Sequence, residues 1–217
     1  MLRFAEEVLL LLLRDEGGSL VSVPDRSLRY ALAGGVLMDL ALENRIDTDL
    51  ENLVVLDDTP TGDELLDPTL AEITAAHQQH DTRFWLEHVA DRCDGLRAAA
   101  LARLTDTGIL EERDDHVLWV FRSRRYPELR GEVRREVKLR LMEVLFSDEI
   151  PDPRDVMLIG LADACEIFNQ LLSNWELEQV TPRIRQVRQL DLIGRETIGV
   201  IDDVRQAIAG GSTPHMH

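Results

Sequence analysis

Three histidines close together in the sequence are the first candidates for chemistry. His77 and His80 are three residues apart, and His88 follows shortly after them. This spacing is typical of side chains that bind a transition metal when a carboxylate completes the site. No carboxylate stands at a motif spacing from them, and the surrounding sequence AAHQQHDT is typical of a linker. We therefore expect no metal site here.

The rest of the sequence contains no recognisable set of catalytic residues. It has no glycine-rich phosphate loop, no nucleophile elbow and no Cys–His pairing. Pairs of acidic residues are frequent, but chance pairs are expected in a chain with 41 aspartates and glutamates. We therefore expect a protein that is not an enzyme and that needs no cofactor.

A basic stretch between Arg122 and Arg140 stands out in an acidic chain. It carries seven arginines and Lys138 against three glutamates, a local charge of +5, whereas the whole chain has a formal net charge of −17. Arginine binds phosphate through paired hydrogen bonds, so Arg130, Arg134 and Lys138 can form an anion site along one outer face. The spacing of Glu132 to Arg135 and of Glu136 to Arg140, three and four residues, equally fits an ordinary surface with ion pairs.

The segment Leu96–Phe121 has the order of a winged helix, with a helix, a short strand and a hairpin. A helix that reads DNA needs cations and amides on its exposed side. This helix offers Arg97 and Arg103 next to Asp94, and an acidic hairpin follows it. Since the chain is also strongly acidic, we expect repulsion from DNA and no nucleic acid partner. A regulator that binds DNA or a small ligand through this segment is the alternative function.

Composition and patterning predict one cytoplasmic domain. The chain has 217 residues, 44% of them apolar, and no linker rich in Pro, Gly or Ser interrupts it, so residues 1–209 can share one core. Residues 210–217 have the composition of a flexible tail. No apolar run approaches the roughly 20 residues of a bilayer span, and acids near the start argue against a secretory signal. Cys93 and Cys165 are predicted to be buried free thiols.

Periodic apolar residues predict a mainly α fold, a helical bundle around one buried helix. That central helix is Val156–Leu172, which has no polar side, and Asp152 is a candidate N-cap. Gly34 and Gly35 lie within another helix, where each costs about 1 kcal/mol relative to alanine, so a close neighbour is expected there. The remaining predicted helices are Arg3–Arg14, Asp25–Asn44, one containing Leu65–Ile73, Thr82–Thr107, one opened by Pro127, Trp175–Leu190 and Arg195–Ala209.

Two small β-strand pairs complete the predicted fold. Arg45–Asp49 and Asn52–Asp57 are predicted to pair across a tight turn. Ile109–Arg113 and His116–Phe121 are predicted to form a β-hairpin with its turn at Asp114–Asp115.

Six sequence segments, spread over nearly the whole chain, carry a family resemblance. They are EEVLLLLLRDEGG (Glu6–Gly18), LAGGVLMDLALENRI (Leu32–Ile46), PTGDELLD (Pro60–Asp67), GILEE (Gly108–Glu112), LIGLADACEIF (Leu158–Phe168) and RIRQVRQLD (Arg183–Asp191). In this order they resemble the Golgi phosphoprotein 3 family. The resemblance implies a single, mainly helical domain with a projecting β-hairpin.

The same resemblance implies a function at a membrane surface. Members of the family are peripheral membrane proteins that bind phosphatidylinositol 4-phosphate and associate with themselves through the hairpin. The corresponding apolar hairpin residues of this chain are Val117, Leu118, Trp119, Val120 and Phe121. The resemblance therefore implies a homo-oligomeric, adaptor-like protein that binds anionic phospholipid headgroups at the inner face of a membrane.

The lipid site implied by the resemblance is only partly present in this sequence. In the family it uses a tryptophan on an apolar loop, an arginine in the second helix and two arginines three apart in the long middle helix. Here the loop falls near Val21–Pro24 without a tryptophan, and the second-helix position is Ala33. The middle-helix positions are Asp94 and Arg97, so one arginine is retained.

Nearby residues are predicted to replace the missing parts of that site. Arg97 is expected to bind the headgroup together with Arg29, one turn before Ala33, or with Arg26. The apolar residues expected to touch the membrane are Leu20, Val21 and Val23. The chain begins at the first shared helix, without the basic extension that eukaryotic members use to engage the vesicle coat. We therefore expect a minimal, bacterial-type member that does not bind a coat protein.

Overall fold

Helices dominate the structure, as the apolar periodicity predicts. It is a computed structural model that describes residues 1–14, 17–49, 52–117, 121–190 and 203–209, with the backbone alone for residues 113–117 and 121–124. The predicted mainly α fold is confirmed. The helices are α1 (Phe4–Leu12), α2 (Asp25–Leu42), α3 (Asp67–Ala75), α4 (Thr82–Ala90), α5 (Cys93–Asp106), α6 (Gly131–Phe146), α7 (Pro153–Ala164), α8 (Phe168–Leu171) and α9 (Asn174–Arg188), and residues 203–209 are also helical.

Two predicted segments near the carboxyl end fall partly or wholly on residues that the structure does not describe. The predicted helix Arg195–Ala209 is confirmed for residues 203–209, and its earlier part lies outside the described residues. The predicted tail, residues 210–217, also lies outside them.

The first two helices pack unusually closely. Every residue of α1 is buried, and α1 lies against α2. A Cβ atom added at Gly35 would lie 3.0 Å from the Phe4 Cβ and 3.1 Å from the Ala5 nitrogen. The close neighbour predicted from the paired glycines is therefore α1, and Gly35 makes room for its backbone.

The central helix is α7, and its predicted start is confirmed. The Asp152 side chain accepts a hydrogen bond from the Arg154 backbone N–H at 2.8 Å, and Pro153 occupies the first turn. All residues from Val156 to Ala162 are buried, as expected for a helix without a polar side. This helix therefore fills the middle of the bundle.

The predicted extent of the central helix is wrong in its second half, because the chain turns after Ala164. Glu166 has a φ of +59°, and the Ile167 N–H donates to the Ala162 carbonyl at 2.9 Å. This is the hydrogen-bond pattern of a Schellman C-cap, with a glutamate where glycine is usual. The turn buries Ile167 completely and begins the short helix α8.

The predicted helix Thr82–Thr107 is also wrong as one element, because it is two. It is interrupted at Asp91 and Arg92, between α4 and α5. Helix α4 packs against α2, whereas α5 packs against both α1 and α2. The break lets each half follow its own neighbours, and no glycine or proline marks it.

The first predicted strand pair exists, whereas the hairpin is formed by strands with other bounds than the predicted Ile109–Arg113 and His116–Phe121. Strands β1 (Ile46–Thr48) and β2 (Leu53–Val55) pair antiparallel, which confirms the first pair. In the hairpin, β3 (Arg113–Val117) pairs with β4 (Phe121–Arg125), so the predicted turn at Asp114–Asp115 is wrong.

The observed hairpin register places charged residues opposite one another. Asp114 lies opposite Arg124 and Asp115 opposite Ser123, in the interior of the ladder. Arg113 lies opposite Arg125, so one pair of opposite charge and one pair of like charge are neighbours in the ladder, and charge alone does not explain the register.

The base of the hairpin is fixed by a glycine. The Tyr126 N–H donates to the Gly18 carbonyl at 2.7 Å, and a Cβ atom added at Gly18 would lie 2.2 Å from the Pro127 nitrogen. Gly18 also has a φ of +65°, which favours glycine. The loop after α1 and the end of β4 are thereby held together.

Candidate anion-binding groove

Two of the predicted headgroup ligands lie on the first turns of α2. The Arg29 Nε donates to the Ala90 carbonyl, at the end of α4, at 3.0 Å. Its Nη2 lies 3.5 Å from the Asp91 Oδ1, and its Nη1 lies 4.0 Å from the Asp25 Oδ2. The backbone contact fixes the guanidinium, and its two terminal nitrogens are directed toward solvent-exposed carboxylates.

Arg26 is positioned in a similar way. Its Nη2 donates to the Ala207 carbonyl, and its guanidinium carbon lies 5.4 Å from the centre of the Tyr30 ring. Arg26 and Arg29 line a surface groove of about 460 Å³. The other lining residues are Asp25, Tyr30, Glu87, Ala90 and Asp91.

Arg97 lies on α5 and is not among the residues that line this groove. Its Nη2 is 3.4 Å from the Asp94 Oδ1, one turn away on α5. Burial raises the pKa of the Cys93 thiol to about 11, and the positive charges of Arg97 and Arg29 both oppose that rise. Arg29 and Arg97 stand on α2 and α5, two helices that pack against each other.

Carboxylates balance the charge of these arginines, but they are held loosely. The side chains of Asp25, Asp91 and Asp94 are 82%, 84% and 95% exposed. Exposed ion pairs contribute about 0–1 kcal/mol, so an incoming phosphate can replace these aspartates at little cost. The groove lining carries three carboxylates, including Glu87, against two guanidinium groups, so its arginines can bind an anion only by exchanging these carboxylates.

The predicted membrane-contacting loop is half-buried. Leu20, Val21 and Val23 pack partly against the core. Leu20 pairs with Leu13, and the Val21 N–H donates to the Leu12 carbonyl at 2.6 Å. The loop is therefore fastened to the end of α1 and exposes only part of its apolar surface.

A comparison with protein families decides what kind of chain this is. The family model for Golgi phosphoprotein 3 (GPP34) matches residues 4–209. The chain belongs to the Golgi phosphoprotein 3 family. In the part of this family member that the structure describes, no helix has the length and apolarity needed to cross a membrane.

The same Golgi phosphoprotein 3 domain contains a second group of arginines, inside the protein and around α1. We call it the α1 ion-pair network, and the sequence patterns do not indicate it. Its members are Arg3, Glu6, Glu7, Asp39, Asp63, Arg103, Arg140, Arg154 and Asp155.

Arg154 joins three helices in this network. Its Nη2 donates to the Glu7 Oε2 at 2.9 Å and its Nη1 to the Asp39 Oδ1 at 3.2 Å. The guanidinium carbon also lies 4.0 Å from the centre of the Phe4 ring. The other oxygen of Asp39 accepts the Phe4 N–H at 2.8 Å, so a side chain of α2 satisfies the first turn of α1.

Arg103 closes the other side of α1. Its Nε and Nη2 donate to the two carboxylate oxygens of Glu6 at 3.0 and 3.1 Å, and its Nη1 donates to the Asp63 Oδ1 at 2.7 Å. The Arg3 Nε donates to the other oxygen of Asp63 at 2.6 Å. Arg103 is therefore occupied inside the protein, and this contact does not favour a DNA-binding role for the winged-helix-like segment.

The buried carboxylates of the network differ in their proton affinity. Burial raises the pKa of Asp39 to about 6, although Arg154 and the Phe4 N–H oppose the rise. Burial acts in the same direction at Asp63, but hydrogen bonds from Arg103 and Arg3 outweigh it and lower the pKa of that carboxyl. The network therefore contains one carboxyl group with a lowered pKa, that of Asp63, and one with a raised pKa, that of Asp39.

One signal in the sequence could have revealed this network. Glu6 and Glu7 stand in a helix whose remaining residues are all apolar, and Asp39 stands in the apolar second half of its helix. A helix without a polar side is buried together with its acids. Buried acids require cationic partners, although the sequence does not identify them.

The basic stretch Arg122–Arg140 does not form one outer anion face. Arg134, predicted to point outward, is 9% exposed and donates its Nη1 to the Leu13 carbonyl at 3.2 Å. The Arg140 Nη2 donates to the Glu7 Oε1 at 2.7 Å. The predicted outer stripe is therefore wrong at Arg134, because this arginine satisfies a carbonyl at the end of α1.

Two of the histidines, His80 and His88, lie on either side of Phe84 in an aromatic stack at α4. His80 stacks on Phe84 with the ring centres 3.7 Å apart, and Phe84 lies 5.9 Å from His88. The His88 Nε2 lies 3.0 Å from the Glu72 Oε2. Within the described ranges, no three His, Cys, Asp or Glu side chains are arranged to hold a metal ion.

The hairpin residues predicted for self-association are described only in part. Val117 and Phe121 form the last pair of the β3–β4 ladder, and their side chains lie outside the described part of the protein. Leu118, Trp119 and Val120 lie outside it entirely.

Proposed function

We propose that this Golgi phosphoprotein 3 family member is a non-enzymatic, adaptor-like protein that binds anionic phospholipid headgroups at a membrane surface, with phosphatidylinositol 4-phosphate as the preferred ligand. Arg29 and Arg97 bind the phosphate, and Arg26 contributes from the groove. The observation that carries the proposal is the fixed Arg29, whose terminal nitrogens face only exposed carboxylates. Membership of the family supports the same ligand class.

Binding in this proposal is an exchange of anions. A phosphate monoester carries about 1.5–2 negative charges and three acceptor oxygens, more than one aspartate offers. The Arg29 side chain is 38% exposed and the Arg97 side chain is 41% exposed, so both guanidinium groups are accessible. The phosphate replaces the exposed aspartates as the partner of the arginines, and the aspartate side chains rotate outward into the solvent.

The charge of the whole chain makes this exchange selective. A net charge of −17 repels a diffuse anionic surface, whereas the local arginines attract one concentrated charge. Vesicles that contain only phosphatidylserine are therefore expected to bind poorly. Salt reduces the long-range repulsion and the local attraction together, with a Debye length of about 8–10 Å near physiological ionic strength.

The test is co-sedimentation of the whole protein with vesicles. Neutral phosphatidylcholine vesicles are compared with vesicles that contain phosphatidylserine, phosphatidylinositol or phosphatidylinositol 4-phosphate, at two salt concentrations. We expect binding to the 4-phosphate vesicles only, and a loss of at least about tenfold in Arg29→Glu and Arg97→Glu, because each reverses a charge at the phosphate.

The matched control is Arg135→Glu, which makes the same charge change at an exposed position of α6. It is expected to bind like the unchanged protein. Equal losses in all three variants, or no binding to any vesicle, would overturn the proposed headgroup site.

Self-association through the hairpin is the second part of the proposal. An apolar hairpin end of residues 117–121 is the surface that two copies would share. Light scattering is expected to give a mass above that of one 24.7 kDa chain, and Trp119→Glu is expected to return it to one chain. A single-chain mass for both proteins would refute this surface.

A further inference from the structure

An apolar cavity lies on the opposite side of α5 from Arg97. It has a volume of about 260 Å³ and is formed by the first turn of α3, the end of α4 and the start of α5. Leu65, Thr69 and Val89 are 2%, 3% and 3% exposed and form its deepest part. The other lining residues are Glu64, Pro68, Arg92, Gly95, Leu96 and Ala99.

Two features of the backbone keep this cavity open. The break between α4 and α5 turns the chain at Asp91 and Arg92. Gly95, in the first turn of α5, has no side chain, and a Cβ atom added there would meet nothing within 4 Å. Glycine in a helix is unfavourable relative to alanine, so the open space has a cost in stability.

We infer that this cavity binds one aliphatic acyl chain, with the polar head of the ligand at the rim beside Arg92. The wall offers aliphatic groups and no aromatic ring to stack on, which favours a flexible methylene chain. At about 30 Å³ for each water-sized group, the volume corresponds to eight or nine such groups. The occupant is therefore a medium-length chain or part of a longer one.

The rim supplies a group for an anionic head. The Arg92 Nη1 donates to the Glu72 Oε1 at 2.5 Å, and the Arg92 side chain is 40% exposed. A guanidinium has five N–H donors, so others remain for a carboxylate or a phosphate ester. The acyl chain of the ligand supplies most of the affinity, and the exposed Arg92 increases the affinity by up to about fivefold.

The experiment titrates decanoate, below its micelle concentration, into the whole protein by calorimetry. Saturable binding at one site per chain is expected. Hexanoate, octanoate and decanoate should bind progressively more tightly, by about fourfold per added methylene. Fatty acids with an acyl chain longer than the cavity should show no further increase in affinity.

Gly95 provides a matched pair of variants. Gly95→Leu fills the cavity from a position where nothing obstructs the new side chain, and it is expected to weaken decanoate binding by at least about tenfold. Gly95→Ala adds one methyl group and should retain most of the binding. Decanoate binding that is equal in Gly95→Leu and the unchanged protein, with both folded by circular dichroism, would overturn the proposal.

A second arm distinguishes a free fatty acid from a membrane lipid as the source of the chain. Neutral phosphatidylcholine vesicles with a fluorescent acyl chain report extraction of that chain by the protein. A Gly95-dependent signal in either arm supports the cavity, and no such signal in both arms rejects it. Neither arm contains a phosphoinositide, and Arg97→Glu should bind decanoate normally, so this test and that of the headgroup site fail independently.

Discussion

The arginines of the α1 ion-pair network and those of the candidate groove make similar contacts but have different partners. Arg154 lies 2.9 Å from Glu7, and Arg29 lies 3.5 Å from Asp91. The Glu7 side chain is 2% exposed, whereas the Asp91 side chain is 84% exposed. A buried carboxylate has no solvent to return to, whereas an exposed one does.

The exposure of the carboxylate partner separates structural arginines from candidate binding arginines better than the distance between arginine and carboxylate does. In the network, removal of a cation leaves a buried carboxylate with less compensating charge. In the groove, the same removal leaves an aspartate in water. Burial of the partner, rather than of the arginine itself, decides which cation can exchange its anion for a ligand.

The largest expected effect is on stability, from Arg154→Met. Methionine keeps an apolar stem near Phe4 but leaves Glu7 and Asp39 without their shared cation, and loss of one partner of a buried ion pair costs about 3–5 kcal/mol. Arg97→Met, on an exposed pair, should change the free energy of unfolding by no more than about 0.5 kcal/mol. Urea unfolding at neutral pH measures both, and similar losses would invalidate the comparison.

A second prediction concerns the pH dependence contributed by Asp39. Its pKa of about 6 in the folded protein exceeds the ordinary value of 3.8, so the stability it contributes is fully present below pH 3.8 and lost as the pH rises through 6. At 1.36 kcal/mol per pH unit this loss is about 3 kcal/mol. Because asparagine does not titrate, the free energy of unfolding of Asp39→Asn relative to that of the unchanged protein should increase from pH 4.5 to pH 7.5. Urea unfolding at these pH values measures the change.

Asp63→Asn is the contrasting variant within the same network. Burial raises the pKa of Asp63, but Arg103 and Arg3 outweigh burial and lower that pKa. The stabilising contribution of Asp63 is therefore present above pH 3.8 and is lost as the pH falls through the lowered pKa. Asp63→Asn should therefore be destabilised at neutral pH and approach the unchanged protein in acid. The two variants should show pH trends of opposite sign, and a shared trend would contradict the assignment.

The smallest expected effect is on binding, from Asp91→Asn combined with Asp94→Asn. Each exposed pair contributes up to about 1 kcal/mol, so the double variant should bind 4-phosphate vesicles about three- to tenfold more tightly, with unchanged stability. Asp148→Asn with Glu178→Gln removes two exposed acids elsewhere and is the control. An equal gain in the control would show that net charge, and not release of the arginines, is responsible.

Most of the helix order could be predicted from the sequence because it depends on local periodicity. The start of α7 depends on Asp152 and Pro153, which are neighbours in sequence. The close approach at Gly35 could be predicted because a glycine within a helix is unfavourable without a packing reason. The ends of helices were harder, since Glu166 takes a left-handed conformation to bury Ile167.

Features that depend on distant partners could not be predicted. The aspartates at positions 114 and 115 are typical of a turn, and only pairing with β4 shows that they belong to a strand. Acids near the start of α1 fit the helix dipole, which conceals their burial. Glu6 meets Arg103 97 residues later, and no local pattern links them.

The route by which α1 becomes buried during synthesis follows from its ion pairs. Glu7 is separated by 147 residues from Arg154, the later of the two arginines that pair with it. At a ribosome speed of about 5–20 residues per second, that cation is added roughly 7–30 seconds after Glu7. Helix α1, which is apolar except for Glu6 and Glu7, is therefore synthesised well before the arginines that pair with these acids. Chaperones that shield apolar segments at the ribosome have that interval in which to act.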